Sequence, residues 1–376
     1  NRDKQQNSVY SQEYVNSFIN NEPFPGIEYE YNMIKMIAPN IPVEGINQTI
    51  ASLIQDNNMV ISISGPDKEG LVYPSEQDIL DVVKQVKAED IEAYAEEISD
   101  EPLIATPPAA GEIIKTEKNE EFDATVWTLS NGMKVVLKNT DFKDDQILMT
   151  ASSVGGYSQY AEQDPINSKT MSSIMTLGGV GNFSATNLRK VMAGKTASAS
   201  PTVSLITQGF SGSSSIKDFE TMLQLVYLYF TSPRSDKDAF DSFIERMESQ
   251  LKNAEAEPMV AFSDSANYAL YGDNPIVSRI KLEDLKKIDY TQIMKMYKQI
   301  FFNPGSFTFT FVGNIDEEAI KPAVLTYLAS LKGEATQGEF LHVPMDVNTG
   351  KLKNVFQKEM QNPKASVFNV YTGKTE

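Results

Sequence analysis

The sequence predicts an α+β fold in which an antiparallel sheet packs against long helices. Three observations predict it. Thr125–Leu129 and Met133–Leu137 are β-rich runs on either side of Ser130-Asn131-Gly132, and an Asn-Gly pair in that setting is a strong hairpin signal. Phe307-Thr308-Phe309-Thr310-Phe311-Val312 alternates apolar and polar residues and stops at Gly313-Asn314, as a half-buried strand does. Between them, the stretch that Ser235 would cap runs to about Ala254. It places Phe240, Phe243, Ile244, Met247 and Leu251 on one helical face.

The remaining elements follow in chain order. Tyr14 to about Gln55 reads as helices, broken at Phe24-Pro25-Gly26 and restarted at Pro42, a residue suited to a first helical position. Met59–Ser64 reads as a strand ended by Gly65-Pro66. Ser75 is placed to cap a helix from Glu76 to about Val86, with Ile79, Leu80, Val82, Val83 and Val86 as its apolar stripe. A short helix is expected from Ala88 to about Glu97. Gln146–Val154 reads as a strand closing on Gly155-Gly156, and a helix is expected from about Ile166 to Met175. Leu205–Ser211 reads as a strand, and Ile216–Phe230 as an amphipathic helix. Glu283–Ile288, Thr291–Phe301 and Glu317–Leu331 read as helices, and Val355–Thr372 as two further strands.

Composition shifts divide the chain. Residues 1–101 are expected to be the C-terminal part of a preceding α+β domain, 102–120 a linker around Pro107-Pro108-Ala109-Ala110-Gly111, 121–333 a complete domain, and 334–376 the truncated start of another. The polar N-terminus lacks an initiator Met and reads as a cut inside a longer protein. A repeat supports the division. Met59–Pro66 lies over Phe307–Asn314, each an alternating strand that stops at a glycine, with helices on both sides.

Charge and chemistry exclude several function classes. The 376 residues carry a formal net charge of −18, from 51 acidic and 33 basic residues. The densest basic runs, Lys281–Lys287 and Lys295–Lys298, are interrupted by acidic or apolar residues, so no nucleic-acid partner is expected. With no cysteine there is no disulfide, thiolate nucleophile or thiolate metal site. No apolar run approaches the roughly 18 residues of a membrane-spanning helix.

His342 is the only histidine, so neither a Ser-His-Asp arrangement nor a catalytic zinc site can be assembled from this chain alone. Gly178-Gly179-Val180-Gly181 lacks the Lys-Ser/Thr of a phosphate loop and reads as a turn after a helix. Asp236, Asp238, Glu317 and Glu318 sit at helix starts, where negative charge favours the helix dipole. Asp144-Asp145 is a further carboxylate pair; Asp264 and Asp273 lie in loop-like context without an evident partner. The 16 Tyr and 19 Phe residues sit at core spacing, with an exposed aromatic peptide groove as the alternative.

In order, Leu129-Ser130-Asn131-Gly132-Met133-Lys134-Val135, Val154-Gly155-Gly156, Phe243–Met247, Leu282-Glu283-Asp284-Leu285, Phe311–Asp316 and Tyr327–Leu331 resemble a non-catalytic domain of the pitrilysin/insulinase zinc metallopeptidases. Phe24–Glu30 and Ser64-Gly65-Pro66 resemble the tail of the second domain in the bacterial branch, and Phe356–Thr372 the opening strands of the fourth. The resemblance implies a repeated metallopeptidase-like (LuxS/MPP-like) domain in a protein of two halves that close around a peptide. The catalytic half carries HxxEH on a helix, with zinc as cofactor.

The equivalent helix here would be Asn167–Met175. The motif positions fall near Thr170, Ser173 and Ile174, none of which can serve. The resemblance therefore implies no catalytic or metal-binding residue in this chain. Zinc and endopeptidase activity would reside in the full-length protein, whose partners are a peptide substrate and the missing N-terminal catalytic half. The family's non-enzymatic scaffold or processing-partner subunits are the alternative, and an unrelated peptide-binding module a third. The absence of cysteine and the bacterial-type pattern fit a periplasmic or cell-envelope setting.

Overall fold

The computed structural model describes residues 7–53, 59–65, 70–90, 101–360 and 362–373, and divides into two compact units, Asn1–Glu97 and Ile98–Glu376. The first unit contains α1 (Asn7–Asn20), α2 (Ile27–Ile37), α3 (Val43–Leu53) and α4 (Glu76–Ala88). Ser75 caps α4 as its sequence position predicts. Its hydroxyl accepts from the Asp78 amide at 3.2 Å while the Asp78 carboxylate accepts from the Ser75 amide at 2.8 Å, a reciprocal capping box.

None of this unit's described residues is buried. Met59–Ser64, expected as a strand, has no ladder partner among the described residues, and Val60 is 90% exposed. The alternation is present, but a strand exists only where a neighbour accepts its hydrogen bonds. Pro66 and the helix expected from Ala88 to Glu97 fall largely outside the described residues; Ala88 itself ends α4.

The second unit is built on seven strands: β1 (Ile113–Asn119), β2 (Ala124–Leu129), β3 (Lys134–Asn139), β4 (Ile147–Val154), β5 (Ala197–Val203), β6 (Thr207–Ser214) and β7 (Thr308–Gly313). They lie in the order β1-β2-β3-β7-β4-β6-β5, with β3–β7 parallel and the other pairs antiparallel. The helices are α5 (Ser158–Ala161), α6 (Pro165–Ile174), α7 (Ala185–Val191), α8 (Phe219–Thr231), α9 (Lys237–Ala256), α10 (Pro258–Tyr271), α11 (Tyr290–Ile300) and α12 (Glu317–Tyr327).

Along β4, Ile147, Met149 and Ala151 point into the core while Leu148, Thr150 and Ser152 face out, the period of two that a one-sided core requires. Phe309 and Phe311 of β7 are fully buried, as are Phe307 and Phe210. Phe210 stacks on Phe309 at 6.0 Å and meets Phe301 edge-on at 5.4 Å.

Several expectations are corrected. Residues 113–119, inside the expected linker 102–120, form β1 and pair with β2 in the register Thr116↔Trp127. This is a sheet edge with solvent on most of its side chains, so its composition reads as linker. Val355–Thr372 contains no strand among its described residues, which have no ladder partner. The cap of α9 is Asp236, whose carboxylate accepts from the Ala239 amide at 3.1 Å, rather than Ser235. β5, α7 and α10 were not anticipated. β5 is a Ser/Ala/Pro run at the sheet edge whose buried positions are Ala and Pro, and the apolar residues of α10 do not gather on one face, so neither gives a clear apolar period.

Candidate functional site

α6 is the helix on which the resemblance places the motif positions. It starts because Asp164 accepts from the Asn167 amide at 3.3 Å and Pro165 needs no amide partner at the first position. The Asn167 side chain, 4% exposed, then ties α6 to α11. Its Nδ2 donates to both oxygens of Asp164, at 3.0 and 2.9 Å, and its Oδ1 accepts from the Asp289 amide at 2.8 Å. Asp289 in turn caps α11.

The three motif positions do not converge. Thr170 is buried with its hydroxyl donating to the Ile166 carbonyl at 2.9 Å, Ser173 is exposed, and Ile174 is fully buried in the apolar core. Such a set does not fit zinc: one side chain has no donor atom, one hydroxyl is already used by the helix backbone, and the third points elsewhere. Among the described residues, no group of three His, Cys, Asp or Glu side chains is arranged to hold a metal ion.

Beside the N-terminal end of α6 opens a cleft of about 410 Å³. Its walls are Asp164 and its neighbours, one side of α10 with Asp264 and Tyr268, and the loop that follows α10 through Asp273, Arg279 and Asp284. Five carboxylates and three cationic side chains line it. Arg279 Nε lies 2.9 Å from both oxygens of Asp264, and Lys287 Nζ donates to Asp284 at 2.8 Å. Burial works to raise the Asp284 pKa, but the bonds from Lys287 and from the Lys281 amide outweigh it and hold the carboxyl below its ordinary value. Lys169, on α6, donates to the carbonyls of Pro275 and Ser278 at 2.6 Å each, and burial lowers its pKa. It pins the cleft's loop to α6.

The structure thus brings Asp264 and Asp273 into one cleft and gives Asp264 the partner that sequence reasoning could not name; Asp264 lies on α10, not in a loop. Asn167, Lys169, Tyr268 and Arg279 were missed, because a single Asn, Lys, Tyr or Arg carries no motif. His342 is exposed. Asp236 and Glu317–Glu318 do sit at helix starts, and Asp145 accepts from the Ile216 amide at 3.1 Å. Gly179 and Gly181 take positive φ of 82° and 55° in the turn after α6. The cleft has charged, hydrogen-bonding and aromatic surface, and so can hold and orient a polypeptide side chain.

Residues 287–376 match the family described as "Peptidase M16 inactive domain". Beyond that segment, the chain is similar in sequence to proteins described as zinc proteases. It is 29% identical over 332 residues to a zinc protease PQQL-like protein of Arabidopsis thaliana, a match covering 88% of this chain and 32% of that protein. The chain therefore spans about a third of the length of such relatives. Two solved structures share the fold. One is a mutant of the ferredoxin protease FusC in complex with Arabidopsis ferredoxin, with TM-score 0.60, 17% identity, and coverage of 91% of this chain and 38% of that one. The other is the periplasmic protease PqqL of Escherichia coli, with TM-score 0.54, 21% identity, and coverage of 88% and 37%.

Proposed function

We infer that this chain is the non-catalytic half of a zinc-dependent endopeptidase and forms one wall of a chamber that closes around peptide substrates. The observation that carries this reading is the fate of α6. In a chain homologous to zinc proteases, the helix that would hold the metal carries Thr170, Ser173 and Ile174, and two of those are sealed into the core. A helix so used has a structural task, which leaves the wall and the cleft beside it as this chain's contribution. Zinc and the nucleophilic water would come from a catalytic half in the longer polypeptide. The cleft's excess of carboxylates favours peptides with basic side chains. The periplasmic protease among the structural relatives supports a periplasmic or cell-envelope setting.

The test is assembly in trans. The N-terminal remainder of the polypeptide, purified alone, is titrated with this chain while cleavage of an unstructured peptide is followed. Activity that rises with this chain and saturates supports the reading. Full activity without it contradicts the reading, and no activity from folded preparations of both with zinc supplied points to a scaffold subunit.

A further inference from the structure

After the core's last buried leucine, Leu331, no helix or strand follows among the described residues. The chain there runs as a largely exposed strap along the second unit. Val343, 5% exposed, anchors it, and the Leu341 amide donates to Ser158 at 3.0 Å. From there the strap follows α10 backwards. The Asn348 amide donates to the Leu270 carbonyl at 2.7 Å and its side chain to the Ala269 carbonyl at 2.9 Å. The Asn354 side chain donates to the Ser265 carbonyl at 2.9 Å and to its hydroxyl at 2.6 Å. Lys358 Nζ donates to the Glu255 carbonyl, in the last turn of α9, at 2.6 Å.

These partners are not arbitrary. The last four carbonyls of a helix have no intrahelical donor and must be satisfied by something else. In α10 two of them are satisfied by Asn348, and in α9 one by Lys358, from residues far along the chain. No residue of α10 is fully buried, and besides its half-buried face the Arg279 bond to Asp264 is what else holds it. Yet α10 supplies one wall of the acidic cleft, through Asp264 and Tyr268, and the strap's Pro344 carbonyl accepts from Asn274 at 3.0 Å, at the start of the cleft's loop. Lys169 holds that loop from the α6 side. The strap's bonds are exposed, and exposed hydrogen bonds contribute little each, so the strap is among the segments that open first.

We propose that residues 344–358 form a releasable clasp. Docked, it caps the ends of α9 and α10 and fixes the outer wall of the cleft; released, it frees that wall. This goes beyond the proposed function, since it holds whatever the cleft binds.

Amide hydrogen exchange on the 376-residue chain tests it. Replacing both clasp side chains, Asn348→Ala with Asn354→Ala, removes three exposed hydrogen bonds, so exchange in Phe262–Gly272 should rise about tenfold while β4 and β7 keep their rates. Equal acceleration in the sheet, or no change in α10, overturns the proposal. The absence of native cysteine allows the converse. Ser265→Cys with Asn354→Cys, joined by a short bis-maleimide, should slow exchange in Phe262–Gly272 at least threefold relative to the unjoined form. Identical exchange in the joined and unjoined forms overturns the clasp as a releasable element.

Discussion

Asn131 shows how much one side chain can do beyond its sequence signal. As the first residue of an Asn-Gly pair it marks the β2–β3 hairpin, and Gly132 takes φ +90° as that turn needs, where an added Cβ would run into the Ala335 amide. The structure adds a second role. Buried Asn131 donates to the carbonyls of Leu328 and Leu331, each at 2.9 Å, and accepts from the Met133 amide at 3.1 Å. It joins the first hairpin to the end of α12 across nearly the whole unit. Asn131→Ala leaves those buried groups unpaired and should cost about 2–4 kcal/mol in chemical denaturation. Asp218, 6% exposed, is comparable. The Thr196 amide donates to it at 2.8 Å and the Ser215 hydroxyl at 3.0 Å, and the first of these does most to lower its pKa below the usual 3.8, against the opposing effect of burial. A depressed carboxyl stabilises the fold fully above its unfolded value and loses that contribution as pH falls through the folded one. Native Asp218 should therefore add an acid-dependent loss of stability below pH 3.8 that is absent from Asp218→Asn, as pH-dependent melting curves would reveal.

Elements were legible where a period survived in the residues. β7 was read almost to the residue, because Phe307, Phe309 and Phe311 all face one core; Phe309→Ala should cost about 3–5 kcal/mol in urea unfolding. β1 was lost in an expected linker because an edge strand needs few apolar side chains, and α10 because its apolar residues do not gather on one face as those of α9 do. Met59–Ser64 shows the reverse error: a sound alternating pattern with no described partner. Its Val60, 90% exposed, should tolerate Val60→Thr in this chain with a stability change within about 0.5 kcal/mol, measured by the same unfolding. A change well above that would mean the segment is packed.

At the scale of the whole molecule, the fold class could be read from the sequence, because it depends on residue types at fixed spacing. The cleft could not. Asp264 and Arg279 meet from α10 and the loop after it, and Lys169 reaches that loop from α6, so the site exists only once the chain is folded. Its carboxylate excess predicts that the full-length protein prefers basic peptides, with kcat/KM falling as salt is added; a panel of charge-varied peptides with no salt-dependent preference would remove the acidic wall from the account. The central claim is that this chain supports metal chemistry without holding the metal. The direct measurement is zinc content together with peptide cleavage, made on this chain and on the full-length protein. The account predicts zinc and cleavage in the full-length protein and neither in this chain; stoichiometric zinc bound by residues 1–376 alone would contradict it.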